Sequence, residues 1–484
     1  MGRYVVGIDN GSQSTKVSVF DERGRVMCSA SRPLRTYFTP RPEVAEHPDD
    51  DIWDSIAEAS RAAMAAFDGD PGEIAGVGLC TIRYCRALLR ADGTLAAPVM
   101  SWMDQRVSRP YVAEVPDVAW ITTSSGYATA RMTGQFRDTV ANYQGMWPLS
   151  TDRWSWLDDD DEGFVACNMP RDALFELVMP GDVLGRVSRA ASAETGLPEG
   201  LPVFATANDK AVEALGCGLS DPGDLLVSLG TYIASMTLGE QNRQGGSFWS
   251  NFASIPHRYL YESGGIRRGM WTVSWWRDLL GAEAAEPAAA AGLSPEAWLD
   301  QQAAATVPPG SDGLMVVLDW LATPGIPFRK GSMLGFDGRH GRLHVHRAIL
   351  EGIALTIGRC ATEMGQELGR DFNRLVVSGG GSASRLFLQI FADVLGLPAE
   401  RTRVHNAVGL GAAICATVGL GWYPSFEEAM VAMVSKELEV PPEPANHDLY
   451  RRIQPIYDSI PACTDPVFER SHPLFVGGPE TREP

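Results

Sequence analysis

Positive charge is in short supply in this sequence. Its 41 lysines and arginines face 60 aspartates and glutamates, for a net charge of −19. Nucleic acids and anionic membranes are recognised through basic surface, so neither is an expected partner. A small anionic substrate is not excluded, because one local cluster of arginines outweighs the mean field. Long apolar runs are also missing: no stretch of 18 or more apolar residues occurs, and no membrane span is expected. The N-terminus lacks the charged head and apolar run of a secretion signal and runs straight into Tyr4-Val5-Val6-Gly7-Ile8. The eight cysteines (Cys28, Cys80, Cys85, Cys167, Cys217, Cys360, Cys415 and Cys463) include no C-x-x-C pair. That signals neither a zinc site nor a disulfide framework. Reduced, mostly buried thiols in a cytoplasmic protein are the expectation. The G-x-x-x-x-G-K-[ST] phosphate loop is absent as well.

What is present is an ordinary globular composition, 45% apolar and 21% charged, over 484 residues. That length suffices for two or three domains. Residues 4–8 and 16–20 read as strands around the turn Asp9-Asn10-Gly11-Ser12-Gln13-Ser14-Thr15, and a third strand follows Asp21-Glu22-Arg23-Gly24. Residues 50–67 read as an amphipathic helix with Ile52, Ile56, Ala59, Ala63 and Phe67 on one face. Residues 74–80 and 85–90 read as strands. Near residue 230 the opening pattern returns: Asp224 to Leu229, a Gly230-Thr231 turn, then Tyr232 to Leu238. The recurrence predicts an α/β chain of two similar domains, each opening on a hairpin. Residues 284–296, rich in alanine and proline, read as a surface connection. Asp158 to Glu162 reads as a solvated loop, and the last thirty or so residues, with several prolines, as a loosely packed tail.

Four segments carry candidate chemistry. In Gly7-Ile8-Asp9-Asn10-Gly11-Ser12-Gln13-Ser14-Thr15-Lys16, a turn of small residues leaves backbone N–H groups free for phosphate oxygens. The hydroxyls of Ser12, Ser14 and Thr15 add donors, and Asp9 at the strand end suits magnesium; a plain hairpin turn is the alternative. Gly230-Thr231 is the matching turn of the second half, by itself almost uninformative. Ser378-Gly379-Gly380-Gly381-Ser382-Ala383-Ser384 lies between a strand and a helix, where glycines admit a flat ligand. In Asn208-Asp209-Lys210, an acid starts a helix; it either caps that helix or takes a proton from an attacking hydroxyl.

Taken together and in order, these segments resemble the FGGY carbohydrate kinases, which include glycerol kinase, xylulokinase and ribulokinase. The likeness covers roughly residues 4–435. Further motifs support it: Glu46-His47-Pro48-Asp49-Asp50 ahead of Trp53, the W-x-D-x-R of Trp102 to Arg106, Arg347 to Ala354, and Val408-Gly409-Leu410-Gly411-Ala412-Ala413. Thr81 to Leu89 and Gly265 to Trp275 resemble a subgroup of bacterial sugar kinases whose substrate the sequence does not supply. The resemblance implies two ribonuclease-H-like domains of the actin and hexokinase type flanking a central cleft. Their expected bounds are 1–220 for sugar, 221–445 for nucleotide, and 446–484 as the tail. It implies ATP and Mg2+, a small sugar, polyol or sugar acid as acceptor, and a homodimer. Asp209 would be the base. Arg83, Tyr84, Asp104, Asp209 and Lys210 would contact the substrate. Gly11, Ser12, Ser14, Thr15, Lys16, Gly230, Thr231, Gly380, Gly381 and Ser384 would hold the nucleotide, with Asp9 and Asp209 for the metal. A nucleotide-gated sugar sensor, or a plain ATPase on the same scaffold, is the competing class.

The sequence departs from that pattern where substrate is touched. Arg83 is glycerol-kinase-like but Tyr84 is not, Lys210 replaces the usual amide, and Arg267-Arg268 stand where small or apolar residues are usual. Asp319 to Phe328 lacks the family's acidic-arginine pattern. Three cations near one pocket, Arg83, Lys210 and Arg267 or Arg268, are costly unless an anion neutralises them. That raises an acidic sugar against a neutral one, with pairing to ATP phosphates or to local acids such as Asp104 and Glu213 as the simpler account. His344-Val345-His346 reads as a structural strand entering the Arg347 helix rather than a metal site.

Overall fold

The structure, a computed structural model, describes residues 3–230, 232–322 and 325–475. The first sheet is nucleated by β1 (Tyr4–Asn10), in which every residue after Tyr4 is buried. Burial on both faces marks a central strand. β1 pairs antiparallel with β2 (Ser14–Asp21), which pairs with β3 (Val26–Pro33), and parallel with β4 (Ile74–Thr81). β5 (Val183–Arg186) and β6 (Pro202–Ala205) complete the order β5-β6-β4-β1-β2-β3. The helix α1 (Asp51–Ala65) covers this sheet with Ile52, Ile56, Ala59 and Ala63, one stripe at helical spacing, all buried.

A helix of first-half residues, α2 (Asp209–Gly216), leads into the second sheet. That sheet contains β7 (Asp224–Leu229), β8 (Ile233–Gly239), β9 (Phe248–Phe252), β10 (Tyr259–Ser263), β11 (Arg374–Ser378), β12 (Ala399–Thr402) and β13 (Lys436–Val440). Its order is β9-β10-β8-β7-β11-β12-β13. The five strands β10-β8-β7-β11-β12 repeat the plan of β3-β2-β1-β4-β6: three antiparallel strands, then two added in parallel. The repeated plan gives the two similar halves that the recurring hairpin foretold, and it is the actin- and hexokinase-like architecture that the family resemblance implies.

The second sheet is covered by α3 (Gly269–Leu280), α4 (Arg342–Leu368) and α5 (Arg385–Leu395). Ile349, Ile353 and Ile357 of α4 pack with Leu225, Val227 and Leu229 of β7. One helix of the second half sits elsewhere. α6 (Ala407–Gly419) lies across β1, β4 and α2. The approach is at backbone distance: a Cβ on Gly7 would lie 2.0 Å from the Gly409 carbonyl oxygen, and one on Gly78 1.9 Å from that of Ala412. Glycine is required at these crossings because any side chain would collide with rigid helix backbone.

Three expectations are corrected. Residues 284–296 are not a connection: Ala282–Ala290 and Pro295–Thr306 are helices, the second capped by Ser294 and begun by Pro295. His344 and His346 lie in the first turns of α4, not in a strand, and bond to different acids, Asp312 and Asp300. The tail reading also fails. α7 (Pro444–Phe475) is a long helix despite four internal prolines, and Tyr450, Tyr457 and Ile460 are buried on it. The Tyr450 hydroxyl donates to Glu351 at 2.7 Å. Packing on α4 and α5 outweighs the proline cost at those positions. Residues 476–484 lie outside the described residues.

Candidate active site

The site forms where α2 meets both sheets. Asn208 is the N-cap of α2, its side-chain oxygen accepting from the Ala211 N–H at 3.1 Å. Capping is therefore done by the neighbour, and the carboxylate of Asp209 is free of that duty. Its Oδ1 is buried without a hydrogen-bond partner, while the side chain as a whole is 25% exposed. Burial pushes the Asp209 pKa above the ordinary carboxylate range, with Arg83 and Lys210 pulling the other way.

Arg83 is held by a residue the sequence did not point to. Its two terminal nitrogens donate to the two oxygens of Glu262 on β10, at 2.7 and 2.8 Å, and its Nε lies 3.7 Å from Asp209 Oδ1. Glu262 is fully buried and also accepts from Asn251 at 3.1 Å. A lone acid in the otherwise uncharged strand Tyr259 to Ser263 was the only signal, since a buried charge demands a partner. Lys210 is likewise occupied: its ammonium bonds to Glu213 at 3.0 Å and to Ser228 Oγ at 2.6 Å. Burial pushes Glu213 up, but Lys210 and Ser228 hold it below its usual value. The cations are thus paired, Lys210 by Glu213 as considered, and Arg83 by Glu262 rather than Asp104. Arg267 donates to the Ala322 carbonyl at 2.8 Å, and Arg268 lies over the Trp271 ring at 4.7 Å. These pairings take Arg83 and Lys210 out of the electrostatic argument for an acidic substrate, while Arg267 and Arg268 have no acid partner among the described residues.

Asp9, at the end of β1, joins the same cluster. Burial raises its pKa to about 7; Lys16 opposes this, and the charges of Asp209 and Glu213 add to it. Gly11 closes the hairpin, its N–H donating to the Ser14 carbonyl at 3.1 Å, with Ser12 half-exposed and Lys16 exposed beside it. Thr15 is a correction: its hydroxyl is buried against Asn10 at 2.7 Å and Ser55 at 2.6 Å, inside the sheet–helix contact rather than on the turn. Asp104 is another. Its carboxylate accepts from the Ala45 and Arg106 backbone N–H groups and from the Arg106 guanidinium, and it is 1% exposed. No lone pair is left for a substrate hydroxyl, so Asp104 orders the loop instead.

The two glycine turns of the second half come together through Leu229. Gly379 takes φ +85°, and a Cβ there would lie 2.5 Å from the Leu229 carbonyl oxygen, beside Gly230. Gly381 packs against Leu229 and Met270, Gly380 is open to solvent, and Ser384 is the N-cap of α5. Thr231 lies outside the described residues. Tyr84, at φ +58°, lines a cavity of about 300 Å³ walled by residues 143–151 on one side and β9 on the other.

Two sheets of one plan, with buried carboxylates and glycine turns converging on the helix between them, define a two-lobed phosphotransferase of the actin and hexokinase type. Comparison with known proteins narrows the class. The N-terminal domain of the FGGY family of carbohydrate kinases matches residues 4–113, and its C-terminal domain matches residues 225–420. The uncharacterized sugar kinase YgcE of Escherichia coli (strain K12) is 45% identical over 478 residues, 98% of this chain and 96% of that protein. A xylulose kinase of Bacillus subtilis (strain 168) is 23% identical over 503 residues, 95% of this chain and 96% of that one. Among solved structures, ligand-bound xylulose kinase from Lactobacillus acidophilus shares the fold with a TM-score of 0.81 at 19% identity, covering 96% of this chain and 99% of that one. The chain belongs to the FGGY family of carbohydrate kinases and is a sugar kinase.

Proposed function

We propose that the protein transfers the terminal phosphoryl group of ATP to a hydroxyl of a small sugar or polyol, with Asp209 accepting the hydroxyl proton. The observation that carries this reading is the state of Asp209. It is relieved of capping by Asn208, has one oxygen unpartnered, and sits between two cations in a half-enclosed site. A carboxylate whose pKa burial has raised is a stronger base than a solvated one. Arg83, fixed by Glu262, holds Asp209 in place, and Lys210 ties the start of α2 to β7, two residues before Gly230. The turn after Gly11, whose own N–H is taken by the Ser14 carbonyl, and the turn at Gly230 would offer backbone N–H groups to phosphate, and Gly380 with the Ser384 cap leaves an open face for the nucleoside.

Magnesium fits this donor set. Among the described residues no group of three or more ligating side chains is gathered. Asp9 and Asp209 offer two carboxylates, the usual protein share where phosphates and water complete the shell. Asp9, raised by burial and by the neighbouring negative charge of Asp209, fits a place made for added positive charge. Bound there, the ion would offset phosphate charge during transfer.

ADP release stimulated by a sugar tests the reading. Asp209→Asn is expected to lower turnover at least ~10²-fold with little change in melting temperature, the usual cost of losing a general base. Near-normal turnover in that variant would refute the role. Eight free thiols and no helix among the described residues able to cross a membrane support placing the enzyme in the cytoplasm.

A further inference from the structure

The helix that carries Asp209 carries a second acid on the same face. Glu213 stands four residues further along α2, about one helical turn away. Beside it β7 and β11 run parallel, and Ser228 and Ser378 are partners in their register. The Ser228 hydroxyl donates to both oxygens of Glu213, at 2.9 and 2.8 Å. Burial works against the charge of Glu213, and Lys210, Ser228 and Ser378 hold it ionised all the same. Glu213, Ser228 and Ser378 are all buried. Each serine leads into a glycine turn: Gly230 comes two residues after Ser228, and Gly379 directly after Ser378. Both turns thus leave the sheet from points that face one carboxylate.

Stability alone does not account for an ion pair buried there. Apolar residues of similar volume often serve a core as well as a buried ion pair, or better. A carboxylate with its own counterion does what an apolar pair cannot. It accepts from two hydroxyls at once, and hydrogen bonds to an ionised acceptor are the strong ones. Lys210, at 3.0 Å, offsets the negative charge that phosphates would otherwise meet. We infer that Glu213 is a positioning residue for the nucleotide. It clamps the ends of β7 and β11, and with them both glycine turns of the second half, to the helix on which Asp209 stands. Lys210 is its counterion. The inference rests on the reading of those turns as the nucleotide site, and it makes nucleotide affinity the property that the pair sets.

MgADP is the probe, titrated calorimetrically into the full-length wild type and its variants, with thermal melts of each ligand-free protein. Two double variants lack both charges and differ in one acceptor. Lys210→Met/Glu213→Gln keeps a side-chain oxygen for the serines, and Lys210→Met/Glu213→Ala does not. The alanine double is expected to bind MgADP about tenfold more weakly than wild type, the worth of a hydrogen bond to a charged group, and the glutamine double to recover most of that loss. Ser228→Ala and Ser378→Ala leave the ion pair in place and should each weaken MgADP about fivefold. A merely structural pair would lower the melting temperatures and leave the affinity of the folded protein unchanged, and that result would overturn the inference. So would equal losses in the two doubles, or wild-type affinity in both serine variants. If neither double folds, the serine variants decide by the same criterion. A wild type that does not bind MgADP would overturn the nucleotide site together with this inference. The expected losses without any sugar-stimulated ADP release would count against the kinase reading alone.

Discussion

Burial raises Asp9 to a pKa of about 7, against 3.8 for an ordinary aspartate. Between those values the folded chain keeps a proton that the unfolded chain has released. Stability therefore falls as pH rises through that window, and the loss is complete above pH 7. Asp9→Asn removes the titration. It is expected to raise the melting temperature of the ligand-free protein at pH 8, a gain that shrinks toward pH 4 and is worth up to a few kcal/mol. The same change should abolish kinase turnover. Thermal melts at pH 8 and pH 4.5 check the first part, and an equal gain at both pH values would refute it. Asp9 and Asp209 were legible in the sequence because each stands at a junction, an acid ending an apolar strand and an acid opening a helix. Glu262 was not. Glu262 meets Arg83 across 179 residues of chain, and no local pattern encodes such a meeting. Thr15 and Asp104 misled for the opposite reason: their local motifs are right, but their side chains turn inward to partners from other segments.

At the scale of elements, periodicity found the hairpins and α1, because one face of each is buried and the other is not. It missed Ala282–Ala290 and the whole of α7, where prolines argued for loops and only tertiary packing holds the helix. The Gly/Ala run of α6 was visible as a motif, but not its purpose. Its small residues let the helix touch β1 and β4 backbone to backbone. Gly78→Ala is expected to destabilise the protein by about 1–3 kcal/mol or more, as overpacking does. Gly338→Ala, where an added Cβ meets nothing within 4 Å, should change little. Urea unfolding of both variants measures the difference, and equal midpoints would contradict the close crossing.

Across the whole molecule, the polar contacts around Asp209 join the two halves. Arg83 belongs to the first and Glu262 to the second; Lys210 and Glu213 belong to the first and Ser228 to the second. Trp154 of the first half donates to the Tyr259 hydroxyl of the second at 3.2 Å. Asp209 thus sits on a frame whose members come from both sheets, and relative motion of the sheets would move its neighbours.

The course of the chain through α6 reaches further. Although translated late, this helix completes the layer over the sheet translated first, so the polypeptide is interlaced rather than modular. Segments 1–220 and 221–484, produced in separate cells, are expected to be insoluble, and to yield active enzyme only when made together. A soluble 1–220 fragment with a cooperative melt would show that the early sheet can mature without its late-arriving cover.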